Sequence, residues 1–341
     1  MRALVHRGPT PTEDLRLRTV PTPHAPEGGV LVRVAAAAPN PVDWHLYRGM
    51  PRGIRLLTWR GDRLTHGIGE DFSGVVTEVA PGVTGLTVGQ RVFGSLPATA
   101  QVPGAMAEFV PARAEWVVPL PVGVDPVEAA TVSLVGLTAL QALRDKGRLH
   151  EGARVLVWGA SGGVGHLGVQ IAKLLGASRV DAVCSGSSAD MVRRLGADRI
   201  IDYTRNEVPT GPYDVILDTV CTAEPSLIGK LLAPGGTVVT TGALGGGPTF
   251  GMMAPLTLRA VASPFRGFRA RTVLTDVNAE DLGLLASWMR EGTLRSVVSE
   301  LFPLDDAIGA YRRLEQGRVH GKLAVLVDQS LVDGMRATTE A

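Results

Sequence analysis

The chain has 341 residues, 45% of them hydrophobic and 20% charged, with a net charge of +1. That length accommodates two domains and a sizeable core. With no basic block there is no electrostatic footprint for nucleic acid, and no apolar run is long enough to read as a membrane span.

The N-terminal segment reads as a first strand, without the apolar core and cleavage site of a signal peptide. Short strands follow at 30–35, 74–79, 91–93, 107–110 and 116–119, separated by turn signals such as Pro81-Gly82 and Val88-Gly89. This spacing predicts a β-rich, barrel-like domain over residues 1–125. A short polar loop after the second strand holds Asn40, Asp43 and His45. Residues 127–144 are apolar at helical spacing and link this domain to the next.

An apolar strand then runs into Gly159-Ala160-Ser161-Gly162-Gly163-Val164-Gly165, followed by a helical pattern that stops at Gly176. Strand, glycine turn and helix start suit a dinucleotide pyrophosphate, because the free N–H groups of the first turn and the helix dipole both favour phosphate. The glycine spacing departs from G-x-G-x-x-G, and an ordinary strand–helix turn is the alternative.

Strands at 180–185, 199–202, 213–220 and 236–241 alternate with helices at 190–195 and 227–232, and 265–274 reads as an edge strand. The alternation predicts a doubly wound parallel sheet with ligands at the carboxyl ends of its strands. The candidate cofactor contacts are then Ser161, Gly162, Gly163 and Val164, with Ser185, Ser187, Ser188, Thr219, Val220, Gly242, Ala243 and Leu244 on the later loops.

An NAD site wants an acid near residue 185 for the ribose hydroxyls. Cys184-Ser185-Gly186-Ser187-Ser188 offers hydroxyls instead, which suit the 2′-phosphate of NADPH, with Arg193, Arg194 or Arg205 as basic partners. The alternative is that the serines only cap the next helix. Beyond 275, helices at 278–292 and 305–315 and a strand at 323–327 are expected to fold back onto the first domain. The two cysteines, Cys184 and Cys221, read as buried free thiols in a reducing, cytoplasmic setting.

Several segments occur in an order that resembles the zinc-independent medium-chain dehydrogenase/reductase superfamily, in its quinone oxidoreductase (zeta-crystallin-like) branch. They are Asn40-Pro41-Val42-Asp43-Trp44, Glu70-Asp71-Phe72-Ser73-Gly74, Val88-Gly89-Gln90-Arg91-Val92-Phe93-Gly94, Gly136-Leu137-Thr138-Ala139, the 159–165 turn, Leu195-Gly196-Ala197-Asp198 and Gly321-Lys322.

The resemblance implies an α/β protein with a GroES-like β-rich catalytic domain plus a doubly wound Rossmann domain. Its domains would be 1–125 with 277–341, and 126–276. It implies NAD(P)H-dependent hydride transfer to a quinone or to the activated C=C bond of an α,β-unsaturated carbonyl, with NADPH the cofactor expected from the 185–188 loop. The alternative is a catalytically weak, NADPH-binding structural or interaction protein. Within it, Asn40 would hydrogen-bond the substrate carbonyl or the cofactor, His45 would supply a proton, and Asp43 would orient His45. Thr138 and Lys322 would approach the cofactor, and Tyr203 would lie near the adenosine phosphate. The bland alternatives are Asx turns for Asn40 and Asp43, core packing for Thr138 and a solvated Lys322.

Zinc needs about four Cys, His or carboxylate ligands. The positions that carry them in zinc-dependent relatives read Ala38-Pro39-Asn40 and Gly69-Glu70-Asp71, so no metal is expected. A homodimer paired through the 265–274 edge strand is expected, and the 46–66 segment is a candidate lid over a small-molecule substrate.

Overall fold

The computed structural model describes residues 1–50, 66–98, 103–242, 253–264 and 267–337. The chain forms two compact units, Met1–Leu137 with Asp276–Ala341, and Thr138–Thr275.

In the first unit β1 (Arg2–His6) lies between β2 (Arg16–Thr19) and β4 (His66–Gly67) in a small antiparallel sheet. The larger sheet is built on β3 (Gly29–Ala38), apolar at nine of ten positions and almost wholly buried. Both of its faces are covered, so it shows no polar alternation. It pairs with β5 (Asp71–Val79) and β7 (Phe109–Arg113), and β5 continues to β6 (Arg91–Ser95) and β8 (Val117–Pro119). Gly74 permits the tight β3–β5 approach, since a Cβ there would lie 2.0 Å from the Arg33 carbonyl oxygen.

The segment after β3 is a helix, α1 (Pro41–Arg48), where the sequence suggested a loop. Asn40 and Asp43 form a reciprocal capping box, Pro41 opens the first turn, and Gly49 closes the last at φ 59°. The eight residues carry too little apolar periodicity to declare a helix, although the caps are legible.

Helix α2 (Pro126–Gln141) starts where Asp125 Oδ1 accepts the Val127 and Glu128 amides, and runs on as a π turn over Ala142–Lys146. Pro126–Lys146 is long and apolar enough to cross a membrane, but 89% of its apolar window is buried inside the protein. The division between units falls within α2, after Leu137, whereas the sequence pattern placed it before the helix.

The second unit is one sheet of six parallel strands. Its order is β11 (Arg199–Asp202), β10 (Arg179–Cys184), β9 (Arg154–Trp158), β12 (Tyr213–Asp218), β13 (Leu232–Thr240) and β14 (Arg269–Thr272). The strands are joined by α3 (Gly163–Leu174), α4 (Ala189–Arg194), α5 (Pro225–Leu231) and α6 (Met253–Ala262). The order reverses at β9, so the 159–165 turn sits at the topological switch point. Helix α6 has no counterpart in the sequence pattern, and the edge strand is shorter than expected.

The C-terminal segment belongs to the first unit. Asn278 caps α7 (Ala279–Arg290) through the Asp281 amide, as its sequence predicts. β15 (Val298–Pro303), α8 (Ala307–Glu315) and β16 (Lys322–Leu326) follow, then α9 (Gln329–Ala337). β16 pairs antiparallel with β3, and Tyr311 and Val325 join Val32 and Phe72 in one core.

Candidate active site

Three strand ends of the first unit converge on a buried polar cluster. Asn40 follows β3, Asp71 opens β5 opposite Ala38, and Lys322 opens β16. Asn40 Nδ2 donates to Asp71 Oδ2 at 2.8 Å, and Lys322 Nζ donates to Asn40 Oδ1 and, at 3.2 Å, to the Pro39 carbonyl. The ammonium lies 3.7 Å from Asp71 Oδ2. The Leu134 amide of α2 donates to Asp71 Oδ1 at 2.9 Å. Asp43 Oδ2 accepts the Asn40 amide at 2.8 Å and the Tyr311 hydroxyl at 2.9 Å.

Three carboxyl groups, Asp43, Glu70 and Asp71, thus share one buried ammonium. Burial pushes Asp43 up to about 7, against the lowering effect of the Asn40 amide and Tyr311. Burial also raises Glu70 well above the usual range, helped by Asp43 and Asp71, while Lys322 opposes it. Burial raises Asp71 too, but Lys322 and Asn40 favour its charged form. Lys322 is lowered by burial and supported by Asp71 and Asp43. The arrangement makes Asp71 the carboxylate of the cluster and leaves the other two carboxyls the neutral choice.

The assigned tasks change accordingly. Asn40 is 1% exposed with both ends of its amide committed, so it positions Asp71 and Lys322 and presents no free donor to a ligand. Asp43 does not orient His45. The His45 ring stacks on Trp44 at 3.8 Å between centroids, and its Nδ1 lies 3.1 Å from the Met50 carbonyl. Burial lowers His45 and favours the neutral ring, so proton supply from it is disfavoured. Lys322 is neither solvated nor free, because strand pairing buries it. Glu70, Asp71 and Tyr311 were not singled out for roles by the sequence. The available signal was a pair of acids opening an apolar strand, Glu70-Asp71-Phe72.

In the second unit Gly162 is the N-cap of α3, and the first-turn amides of Gly163 and Val164 lack partners within the helix. A Cβ on Gly162 would meet only the Gly159 carbonyl oxygen, at 3.5 Å, so space stands open before the helix N-terminus. A Cβ on Gly165 would lie 2.1 Å from that same oxygen, and Gly159 has φ 83°. The outer glycines therefore close the turn, and the middle one keeps the approach clear, which fits a pyrophosphate.

Ser185 lies 2.9 Å from Ser187 and 3.1 Å from Ser188 between hydroxyl oxygens, and Tyr203 is exposed nearby. Asp202, paired with Cys184 across the sheet, accepts both the Thr204 amide and hydroxyl. Arg193 binds Asp190, and Arg205 lies 3.6 Å from Asp202. Thr219 Oγ1 donates to the Trp158 carbonyl, and the Val220 and Cys221 amides donate to Asp218 Oδ1. Arg259 fixes Asp218 from the other side at 2.6 Å, a buried latch that sequence reading missed. Thr138 Oγ1 lies 2.7 Å from Thr275 Oγ1. Ser161 stands in the turn and Gly242 follows β13, while Ala243, Leu244 and most of the candidate lid lie outside the described residues. Among the described residues no group of three or more His, Cys, Asp or Glu is arranged to hold a metal.

Residues 26–122 match the alcohol dehydrogenase GroES-like domain and residues 195–325 the zinc-binding dehydrogenase family. The chain is 33% identical to the trans-enoyl reductase pgmF of Aspergillus terreus, over 98% of each chain. It is 31% identical to the human mitochondrial NAD(P)H oxidoreductase RTN4IP1, over 87% of this chain and 81% of that one. The quinone oxidoreductase of Coxiella burnetii superposes with a TM-score of 0.83 at 29% identity, over 96% of this chain and 99% of that one.

Proposed function

This chain belongs to the quinone oxidoreductase branch of the medium-chain dehydrogenase/reductase superfamily, and from that we propose that it transfers a hydride from NADPH to a quinone or to the activated C=C bond of an α,β-unsaturated carbonyl. It is an oxidoreductase with a nicotinamide cofactor. The observation that carries the reading is the open space at Gly162, before a helix N-terminus at the switch point of a parallel sheet.

Gly162, Gly163 and Val164 would hold the pyrophosphate, and Thr219 and Val220, fixed through Asp218 and Arg259, would flank the nicotinamide half. When bound, the nicotinamide supplies the hydride. NADPH is favoured over NADH because Ser185, Ser187 and Ser188 stand where an NAD site has an acid, and neighbouring Asp202 is engaged by Thr204. The Asn40–Asp71–Lys322 cluster would set the charge balance of the buried site in the first unit. The protein would act in the cytoplasm as a homodimer joined along β14, which ends the sheet among the described residues.

The test is NADPH oxidation by purified protein with 1,4-benzoquinone and 2-cyclohexenone. Turnover with either supports the reading. Tight NADPH binding with no turnover on either supports a nucleotide-binding structural role instead. Ser185→Asp should move the preference toward NADH, and an unchanged preference would overturn the assignment of this loop.

A further inference from the structure

Gly69 adopts φ 93° and turns the chain into β5, which brings Glu70 to the wall of a cavity of about 60 Å³ shared with His6, Asp43, Tyr47, Ile68 and Leu96. Glu70 is 4% exposed, and neither carboxyl oxygen has a hydrogen-bond partner among the described residues. Every other carboxyl of the cluster is engaged. A buried polar group without a partner costs free energy that a native fold rarely leaves unspent. The cavity has room for a few waters or for the polar end of a ligand.

We propose that Glu70, a carboxylic acid on the wall of this cavity, is the proton donor of the site and donates to the oxygen of a carbonyl substrate. The proposal rests on the reductase reading. As reduction places an electron pair on that oxygen, the Glu70 O–H bond breaks and an O–H bond forms on the substrate. The Glu70 carboxylate then recovers a proton from water entering the cavity.

The groups around Glu70 hold it in the acid form at rest. Asp43 on α1 and Asp71 on β5 repel its charged form, and among the described residues Lys322 on β16 acts against them. That ammonium is already committed to Asn40 and Asp71. Tyr311 and Tyr47 carry their hydroxyls to Asp43 and Glu315, and burial lowers His6, so none of these supplies a competing charge. A general acid held in this way typically contributes about 10²–10⁴ in rate.

Infrared spectroscopy of the full-length protein tests the donor directly. At neutral pH a protonated-carboxyl C=O stretch should be present and should shift when 2-cyclohexenone is added to the NADP⁺ complex. Glu70→Gln should abolish the enone-sensitive part of that band, leaving any Asp43 contribution, and should lower kcat by about 10²-fold and flatten the pH profile, which in the wild type should fall at high pH. Absence of an enone-sensitive band in the wild type, or a Glu70→Gln protein with unchanged rate and pH profile, overturns the proposal. The wild-type spectrum stands whether or not the variant folds. Enone turnover without the band sinks the donor alone, and the band without turnover sinks the reductase reading alone.

Discussion

Lys322 Nζ donates a hydrogen bond to Asn40 Oδ1 across 282 residues of chain. The same Asn40 side chain donates to Asp71, so one amide bridges a buried cation and a buried anion. The sequence motifs that carry Asn40, Asp71 and Lys322 become one electrostatic unit because β3, β5 and β16 are neighbours in one sheet.

Asn40→Ala leaves Lys322 and Asp71 each short of a buried partner. It should destabilise the protein by about 1–3 kcal/mol. It should also lower kcat/KM while leaving NADPH affinity within a factor of about two, because the nucleotide loops lie in the other unit. Chemical denaturation and NADPH titration check the two halves of this expectation. Loss of NADPH binding comparable to the loss of turnover would contradict it.

The three glycines of the turn should separate by phenotype. Gly162→Val should fold with near-normal stability and lose NADPH, since the position has open space and φ −83°. Gly165→Ala should instead destabilise the fold itself, because its Cβ would strike the Gly159 carbonyl. Circular dichroism melts beside nucleotide titrations distinguish the two.

Stability should fall with rising pH through the Asp43 titration. Folded Asp43 holds its proton up to about 7, while the unfolded group loses it near 3.8. Its contribution is therefore full at low pH and is lost as pH rises through about 7, by on the order of 1–4 kcal/mol. Comparing wild type with Asp43→Asn isolates the effect. A stability difference between them that does not change with pH would mean that folding does not shift the Asp43 titration.

Among the described residues no strand pairs with β14 on the side away from β13, and Leu274 just beyond it is 89% exposed. Strand pairing with a second copy would cover both. Light scattering at micromolar protein should give the dimer mass, and a monomer would remove the β14 interface from the account.

The centre of the parallel sheet was legible because β9, β10 and β12 are largely apolar runs bounded by turn signals, while the edge strand β14 reads Arg269-Ala270-Arg271-Thr272; α7 was legible because Asn278 and Gly292 mark its ends. Helix α1 was not, since its eight residues are held by caps and by Tyr47 packing on Tyr311, a residue far along the chain. The partners of Asn40 were hidden for the same reason: Asp71 and Lys322 reach it only through strand pairing. The sequence marked Glu70 only as one of two acids opening an apolar strand, and its character comes from where the sheet buries it.

The central claim is nicotinamide hydride transfer to an activated carbonyl substrate, and isotope tracing tests it most directly. NADPH deuterated at C4, prepared as each stereoisomer, should deliver deuterium from one of them to the β-carbon of 2-cyclohexenone. Mass spectrometry would then find singly labelled cyclohexanone. Unlabelled product from both isomers, or tightly bound NADPH that neither the enone nor 1,4-benzoquinone consumes, would contradict the account.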